Sequence, residues 1–94
     1  MKHIYWIIDV HPGCEFGYSF CVKLDSRYGQ YKAGQRKAIE RARKAGLFSG
    51  EYDWGGCGLQ LIYDDEWGEE PDDHAREWMK DAIELKDEMD DKLV

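Results

Sequence analysis

The sequence predicts one α+β domain over residues 1–94: a two-layer sandwich of an antiparallel sheet, with three or four strands, and two helices on one face. Three observations predict this fold. Some segments carry strand-like patterns, two others carry a helical period, and glycine-containing turns separate them. The elements follow in the order β-β-α-(β)-β-α. One sheet with both helices on a single face is the simplest arrangement that buries the apolar side of every element.

The first two elements are predicted strands. Residues 3–10 combine β-branched and aromatic side chains and place apolar groups on both faces, which is typical of a central strand. Residues 15–24 alternate between apolar and polar side chains, which indicates a strand with one buried face. Pro12 and Gly13 favour a tight turn between them, because proline fixes φ and glycine accepts a positive φ. The sequence therefore predicts an antiparallel hairpin.

A basic helix and a further strand are predicted next. The helix begins at about Tyr31 or Ala33 and ends at Gly46. Its narrow apolar strip consists of Ala38, Ile39, Ala42 and Ala45, and its outward residues are Arg36, Lys37, Arg41, Arg43 and Lys44. Residues 57–63 form a strand, and the two glycines before it are a hairpin signal. Whether the short segment from Tyr52 to Trp54 is also a strand stays open.

The last predicted element is an amphipathic helix over residues 71–93. Its apolar stripe consists of Ala75, Trp78, Ala82, Leu85, Met89 and Leu93. Pro71 suits the first helical position, and Asp72 and Asp73 interact favourably with the positive end of the helix dipole. Acidic residues cover the opposite side of the helix, so its outward face is expected to be anionic.

The strand and helix patterns together predict the core. Its expected members are Ile4, Trp6, Ile8, Phe16, Tyr18, Phe20, Ile39, Ala42, Leu59, Leu61, Trp78, Ala82, Leu85 and Met89. If Leu85 belongs to the core, its truncation to alanine should cost about 2–5 kcal/mol of unfolding free energy.

Charge divides the chain into two unequal parts. Residues 1–63 hold nine basic and six acidic side chains, and residues 64–94 hold four basic and fourteen acidic ones, so balances of +3 and −10 give the net charge of −7. This charge disfavours direct nucleic-acid binding, because a phosphate backbone repels such a surface. A basic partner is expected instead. No segment approaches the roughly 20 apolar residues of a membrane span, so a soluble, cytoplasmic protein without membrane contact is expected.

Metal sites and disulfides are not expected. The cysteines and histidines contain only one half-motif with zinc-like spacing, formed by His11 and Cys14. Counted from Asp64, the acidic loop has glycine fifth and alanine twelfth, whereas a calcium loop needs glycine sixth and glutamate twelfth. Three cysteines without paired spacing indicate free thiols. The sequence therefore predicts no metal and no other cofactor.

Cys57 provides an enzymatic alternative. It lies among three glycines, which would let a substrate carbonyl approach backbone N–H donors, and His11 or His74 would act as the base. The competing interpretation is that the glycines serve a hairpin or a bulge. The alternative function is thus a small cysteine- or metal-dependent enzyme centred on Cys57 and a histidine.

The basic helix allows two interpretations. With Tyr28 and Tyr31 before it, the helix is typical of a nucleic-acid contact. If both helices share one face of the sheet, it instead lies beside the acidic helix and forms exposed ion pairs worth about 0–1 kcal/mol each. Such pairing leaves carboxylates in excess. Opposed charges also suggest an architectural subunit that assembles head to tail or as a homodimer.

The leading hypothesis is a small acidic, non-enzymatic binding or inhibitor protein. Its acidic surface, with Trp54 and Trp67 as anchors, would occupy a basic, nucleic-acid-binding site on a partner protein. Some small acidic phage inhibitors of host defence, anti-CRISPR proteins among them, act as nucleic-acid mimics, and the analogy is one of type and not of motif. The predicted partner-binding residues are Asp64, Asp65, Glu66, Trp67, Glu69, Glu70, Asp73, Glu77, Asp81, Glu84, Asp87, Glu88 and Asp91. No catalytic residue is predicted.

Overall fold

The computed structural model describes residues 2–10, 17–47 and 57–85. Its strands are β1 (His3–Val10), β2 (Tyr18–Asp25), β3 (Cys57–Asp64) and β4 (Ile83–Glu84). Its helices are α1 (Lys32–Lys44) and α2 (Asp73–Lys80), and short 3-10 turns cover Ser26–Tyr28 and Asp65–Trp67. A sheet of four strands with two helices confirms the predicted α+β fold class.

β1 lies inside the sheet, whose strand order is β3-β1-β2-β4. It pairs antiparallel with both β2 and β3, as its apolar side chains on both faces predicted. β4 behaves differently, because it pairs in parallel with β2 at Val22 and Lys23. The sheet is therefore mixed, which corrects the prediction of a purely antiparallel sheet.

A bulge lies in the pairing of β1 with β3. The register shifts between Tyr5 and Trp6, whose partners are Tyr63 and Leu61, so Ile62 is the extra residue. Ile62 and Tyr63 consequently both contact the cluster around Tyr5, whereas Leu61 contacts the cluster on the other face. The bulge thus adds a second apolar side chain to the face that carries Tyr63.

One face of the sheet packs against α1 and carries the larger core. Its buried members are Ile4, Trp6, Ile8, Val10, Val22, Leu24, Ala38, Ile39, Ala42 and Leu85. The two alanines let α1 approach the sheet closely, as the apolar strip of this helix predicted. The first turn of α1 is also tight, because a Cβ at Gly34 would collide with the carbonyl oxygens of Tyr28 and Gly29.

The opposite face packs against α2. Alternation along β1 directs Tyr5 away from that larger core, and Tyr5 clusters with Cys21 and Tyr63. The partly buried residues that cover this cluster are Ile62, Trp78, Met79 and Ala82. The prediction that both helices lie on one face is therefore corrected: the sheet lies between them. The physical reason is that β1 carries apolar groups on both faces, and one helical layer would leave one set uncovered.

The predicted helix over residues 71–93 is corrected as well. α2 ends at Lys80, and the chain then enters β4. Leu85 donates its backbone N–H to the carbonyl oxygen of Lys23 at 2.8 Å, and its side chain is fully buried with α1. A continuous helix would have held Leu85 on the same side as Trp78. Burial in the larger core and pairing with β2 outweigh the helical pattern here.

Most predicted core residues within the described ranges are buried or partly buried, and Tyr18 is the exception. Its side chain is exposed and stacks on Phe20 at the start of β2. Other predictions lie outside the described residues: the turn at Pro12 and Gly13, the segment from Tyr52 to Trp54, and the side chains of Phe16, Met89 and Leu93. Among the helices that are described, none is long and apolar enough to cross a membrane.

Candidate acidic binding surface

The acidic residues that follow β3 form the acidic surface, which runs over the 3-10 turn Asp65–Trp67, α2 and β4. Residues 64–84 contain ten acidic and two basic side chains, a balance of −8. The predicted partner-binding residues that the structure describes as exposed or half-buried are Asp65, Glu66, Trp67, Glu69, Glu70, Asp73, Glu77, Asp81 and Glu84. The predicted residues Asp87, Glu88, Asp91 and Trp54 lie outside the described residues.

His3 connects the two ends of the acidic surface. Its backbone N–H donates to Asp65 Oδ2 at 2.9 Å, and its ring Nε2 lies 3.4 Å from Glu84 Oε2. The second contact is an ion-pair distance without hydrogen-bond geometry. The start of β1 therefore brings together residues that are nineteen positions apart in the sequence. Sequence reasoning missed this role of His3, because only the strand pairing places it there.

Asp64 lies beneath this surface. The residue is only 7% exposed, and its carboxylate accepts the backbone N–H of Glu66 at 2.9 Å. This hydrogen bond begins the 3-10 turn, as Asp side chains commonly do where they cap a turn. Gly68 then takes a φ of 75°, which glycine adopts without strain, and the chain reverses. Asp64 was predicted to face a partner, but its burial makes it a residue that shapes the turn.

Trp67 is the exposed aromatic residue of the acidic surface, with 44% of its area accessible. Its ring meets the ring of Tyr63 edge to face, with 5.6 Å between the centroids. Tyr63 is itself buried, and its hydroxyl donates to the backbone carbonyl of Glu69. The buried tyrosine therefore supports both the indole ring and the backbone that follows it.

The start of α2 is well capped. The carboxylate of Asp72 accepts the backbone N–H of Ala75 at 2.8 Å, and Asp73 occupies the first turn. Both positions favour an acidic residue, because unpaired N–H groups and the positive end of the helix dipole meet there. Local helix chemistry thus explains these two carboxylates, and Glu77 and Asp81 are exposed beyond them.

Several carboxylates of the surface are paired with nearby cations. The pairs are Lys2–Glu66 at 3.7 Å, Arg76–Glu70 at 3.2 Å and Lys80–Glu77 at 3.1 Å. All six side chains are at least half exposed, so each pair contributes about 0–1 kcal/mol. The cations of these three pairs lie outside α1. The idea that the basic helix lies beside the acidic one is corrected because α1 and α2 cover opposite faces of the sheet.

The carboxylates of the acidic surface also raise the pKa values of two buried tyrosines beneath it. Burial raises the pKa of Tyr63, and the carboxylates of Asp65, Glu69 and Glu70 raise it further. Burial and then Asp65 raise the pKa of Tyr5 in the same way. Both hydroxyls therefore stay protonated and act as neutral groups at physiological pH.

A cluster of cations surrounds Tyr28 near α1, and sequence reasoning missed it. The Tyr28 hydroxyl accepts hydrogen bonds from Arg41 at 2.9 Å and from Arg27 at 3.2 Å, and Lys37 Nζ lies 5.7 Å from the ring centroid. Arg41 is only 3% exposed, although it was predicted to project outward. Its position three residues after Ala38, beside the apolar strip, was the available signal.

The geometry gives no support to a site that combines Cys57 with His3. Cys57 pairs with Val10 at one end of β1, and His3 lies at the other end, about 23 Å away at the usual rise per strand residue. His74 is exposed on α2, and His11 lies outside the described residues. Within the described part of the chain, no group of three or more His, Cys, Asp or Glu side chains is arranged to hold a metal ion.

Cys21 is a buried free thiol beneath α2. Burial raises its pKa to about 11, the Asp81 carboxylate acts in the same direction, and Lys23 opposes both. Since the thiolate is the reactive form, this cysteine is expected to be inert at neutral pH.

Comparison of the chain with family models, with curated proteins and with solved structures finds no match.

Proposed function

We propose that this protein is a non-enzymatic binding protein whose acidic surface occupies a basic, nucleic-acid-binding site on another protein. The observation that supports this best is Trp67, an exposed ring that meets buried Tyr63 edge to face. In the chain it follows Glu66 directly and precedes Gly68 and Glu69. An exposed indole among carboxylates combines an apolar anchor with groups that attract cations.

Trp67 has the properties of an anchor residue. Tryptophan is enriched among the residues that dominate binding energy, because its ring buries a large area. A Lys or Arg side chain placed over that ring would gain about 0.5–2 kcal/mol. Contact with Tyr63 restricts the ring before binding, so less side-chain entropy is lost in a complex. These properties suit a partner surface that is rich in arginine.

The carboxylates would act at longer range. A balance of −8 over residues 64–84 attracts a basic partner and raises the rate of association. Exposed pairs such as Glu77 with Lys80 are weak, so a partner's cations replace them at little cost. Carboxylates and phosphates also bind guanidinium groups with the same bidentate geometry. This supports nucleic-acid mimicry, the mode of action of some small acidic phage inhibitors of host defence.

The test compares partner capture by the parent protein and by variants of each face. Trp67→Ala removes the anchor, and Glu69→Gln with Glu77→Gln removes two charges. Tyr31→Ala and Glu40→Gln are the matched controls, because they remove an exposed ring and an exposed carboxylate on the α1 side. Proteins captured from a lysate are identified, and their affinity for each variant is measured at low and high salt.

We expect Trp67→Ala to weaken binding at least tenfold, and the two-site amide variant to bind less tightly with a shallower salt dependence. The α1-side controls should bind at least as tightly as the parent does. A captured nucleic-acid-binding protein should also release its DNA or RNA when the parent protein is added. Unchanged affinity in both acidic-surface variants would contradict the proposal.

A further inference from the structure

The exposed side of α1 forms a second charged surface, here termed the basic face. Residues 32–44 contain six basic side chains and one acidic side chain. Lys32 and Arg36 are exposed in the first half of the helix, and Tyr31 just before it is 76% exposed. The buried side of the same helix packs on the sheet through Ala38 and Ile39. The basic face therefore points away from the sheet.

The acidic surface and the basic face lie on opposite sides of one sheet, because α2 and α1 cover opposite faces. Packed layers are separated by roughly 10 Å, so the two helices are about 20 Å apart. The Debye length at physiological salt is only about 8 Å. Attraction between the two helices within one molecule is therefore largely screened, whereas the same two surfaces on neighbouring molecules can reach contact distance.

We infer that the partner of the basic face is a second copy of this chain, which presents its acidic surface to it. Charge complementarity favours this occupant, since five of the six basic residues of 32–44 and nine of the ten acidic residues of 64–84 are exposed or half-buried. Each surface also carries one strongly exposed aromatic side chain, Tyr31 on the basic face and Trp67 on the acidic surface. Aromatic residues of this kind are enriched at the centres of interfaces.

The symmetry of this contact follows from its two different surfaces. Because the two patches lie on opposite sides of the molecule, one copy cannot present both of them to the same neighbour. The contact is therefore heterologous, and it generates a closed ring or an open chain of molecules and not a two-fold dimer. Each copy would then use its acidic surface for the next copy. Self-association and capture of another basic protein would therefore compete for the acidic surface. In the self-associated form this surface would be covered and unavailable to another partner. The inference shares this surface with the proposed function but concerns a different occupant.

The test uses two charge-reversal variants. Lys32→Glu with Arg36→Glu makes the basic face acidic and leaves the acidic surface intact. Glu69→Lys with Glu70→Lys makes the acidic surface basic and leaves α1 intact. The mass of the parent, of each variant and of an equimolar mixture is measured by sedimentation equilibrium over a range of protein concentrations, at low and at high salt. Circular dichroism confirms folding, and Lys32→Gln with Arg36→Gln is the substitute if the reversal unfolds the protein.

We expect the parent to associate at low salt and to dissociate at high salt. Each variant alone should associate at least tenfold more weakly, and the mixture should recover association because it restores opposite charges. A parent that stays monomeric at low salt would overturn the inference, and so would association that neither variant weakens. Binding of a DNA duplex by monomeric parent, lost on reversal of Lys32 and Arg36, would assign the basic face to nucleic acid instead.

The α1 reversal separates this inference from the proposed function. It leaves Trp67 and the carboxylates around it unchanged, so capture of a basic partner should persist or increase while self-association is lost. If Trp67→Ala loses partner capture but still self-associates, only the inference of self-association fails and the proposed function stands. If Trp67→Ala and the two-site amide variant both still capture the partner, the proposed function is contradicted and the inference of self-association is not.

Discussion

α1 and α2 cover opposite faces of one sheet by different means. α1 brings two alanines and Ile39 to a core whose buried members are aliphatic side chains and Trp6, whereas α2 covers a cluster of two tyrosines and a thiol. The buried members of the α1-side core do not titrate, but Tyr5, Cys21 and Tyr63 do. We therefore expect truncation to affect stability most on the α1 side, and alkaline pH to act mainly through the α2 side.

Leu85→Ala should have the largest effect on stability. Leu85 is 2% exposed in the α1-side core, so its truncation removes buried area and leaves a cavity. The expected loss is about 2–5 kcal/mol of unfolding free energy. Ile83→Ala is the control, because Ile83 lies two residues earlier in β4 and is exposed. Urea denaturation measures the unfolding free energy of both variants. Equal losses would mean that the pairing of β4 with β2, and not the packing of Leu85 in the core, determines the effect.

Tyr28→Phe should have the next largest effect. The change keeps the ring beside the cations but removes the hydroxyl that accepts from buried Arg41 at 2.9 Å. Loss of an acceptor from a buried charged donor is expected to cost about 1–3 kcal/mol. Tyr31→Phe, at an exposed position, should change stability by less than about 0.5 kcal/mol. If thermal melts do not separate the two variants, the Tyr28 hydroxyl does not stabilise this side of the sheet.

Cys21 should make stability depend on alkaline pH. Burial raises the pKa of this thiol to about 11, whereas an unfolded cysteine has a pKa of about 8.5. Between these values the unfolded chain loses the proton and the folded protein keeps it, so stability decreases as pH rises. Relative to Cys21→Val, the parent should lose about 1–2 kcal/mol more between neutral pH and about pH 10.

Urea denaturation at several pH values measures this difference. Tyr5 and Tyr63 also have raised pKa values, but their contribution to stability changes at still higher pH, where the Cys21 thiolate raises the pKa of Tyr5 in the parent alone. Up to about pH 10, the comparison of parent with Cys21→Val therefore reports mainly on the thiol. Parallel pH profiles would show that this cysteine ionises as easily in the folded protein as in the unfolded one.

The helix N-termini should give the smallest effects, of opposite sign. Asp72 caps α2 by accepting from Ala75, whereas Tyr31 makes no capping side-chain hydrogen bond to α1. Asp72→Ala should destabilise by about 0.5–2 kcal/mol, and Tyr31→Asp should stabilise by up to about 1 kcal/mol. Thermal melting measures both. A destabilised Tyr31→Asp variant would indicate that the tyrosine ring contributes more than a cap would.

Much of the local structure could be predicted from the sequence. The apolar groups on both faces of residues 3–10 indicated a central strand, and the alanine strip of residues 38–45 indicated a helix that packs closely. Trp67 and most of the exposed carboxylates around it were also identified. The positions of Asp64 and Arg41 were missed, because burial of a charged side chain depends on partners that are distant in sequence.

The sequence by itself determined where β1, α1, β3 and α2 begin, to within about two residues, and which side of these elements is apolar, since those properties depend on spacing along the chain. Only the tertiary structure decided which face of the sheet each helix covers, and that α2 ends at Lys80 so that Leu85 reaches the α1-side core. An apolar stripe specifies that an element must be buried but not against what. The placement of α1 and α2 on opposite faces separated the basic face from the acidic surface, because a sheet that is apolar on both sides needs a helix on each side.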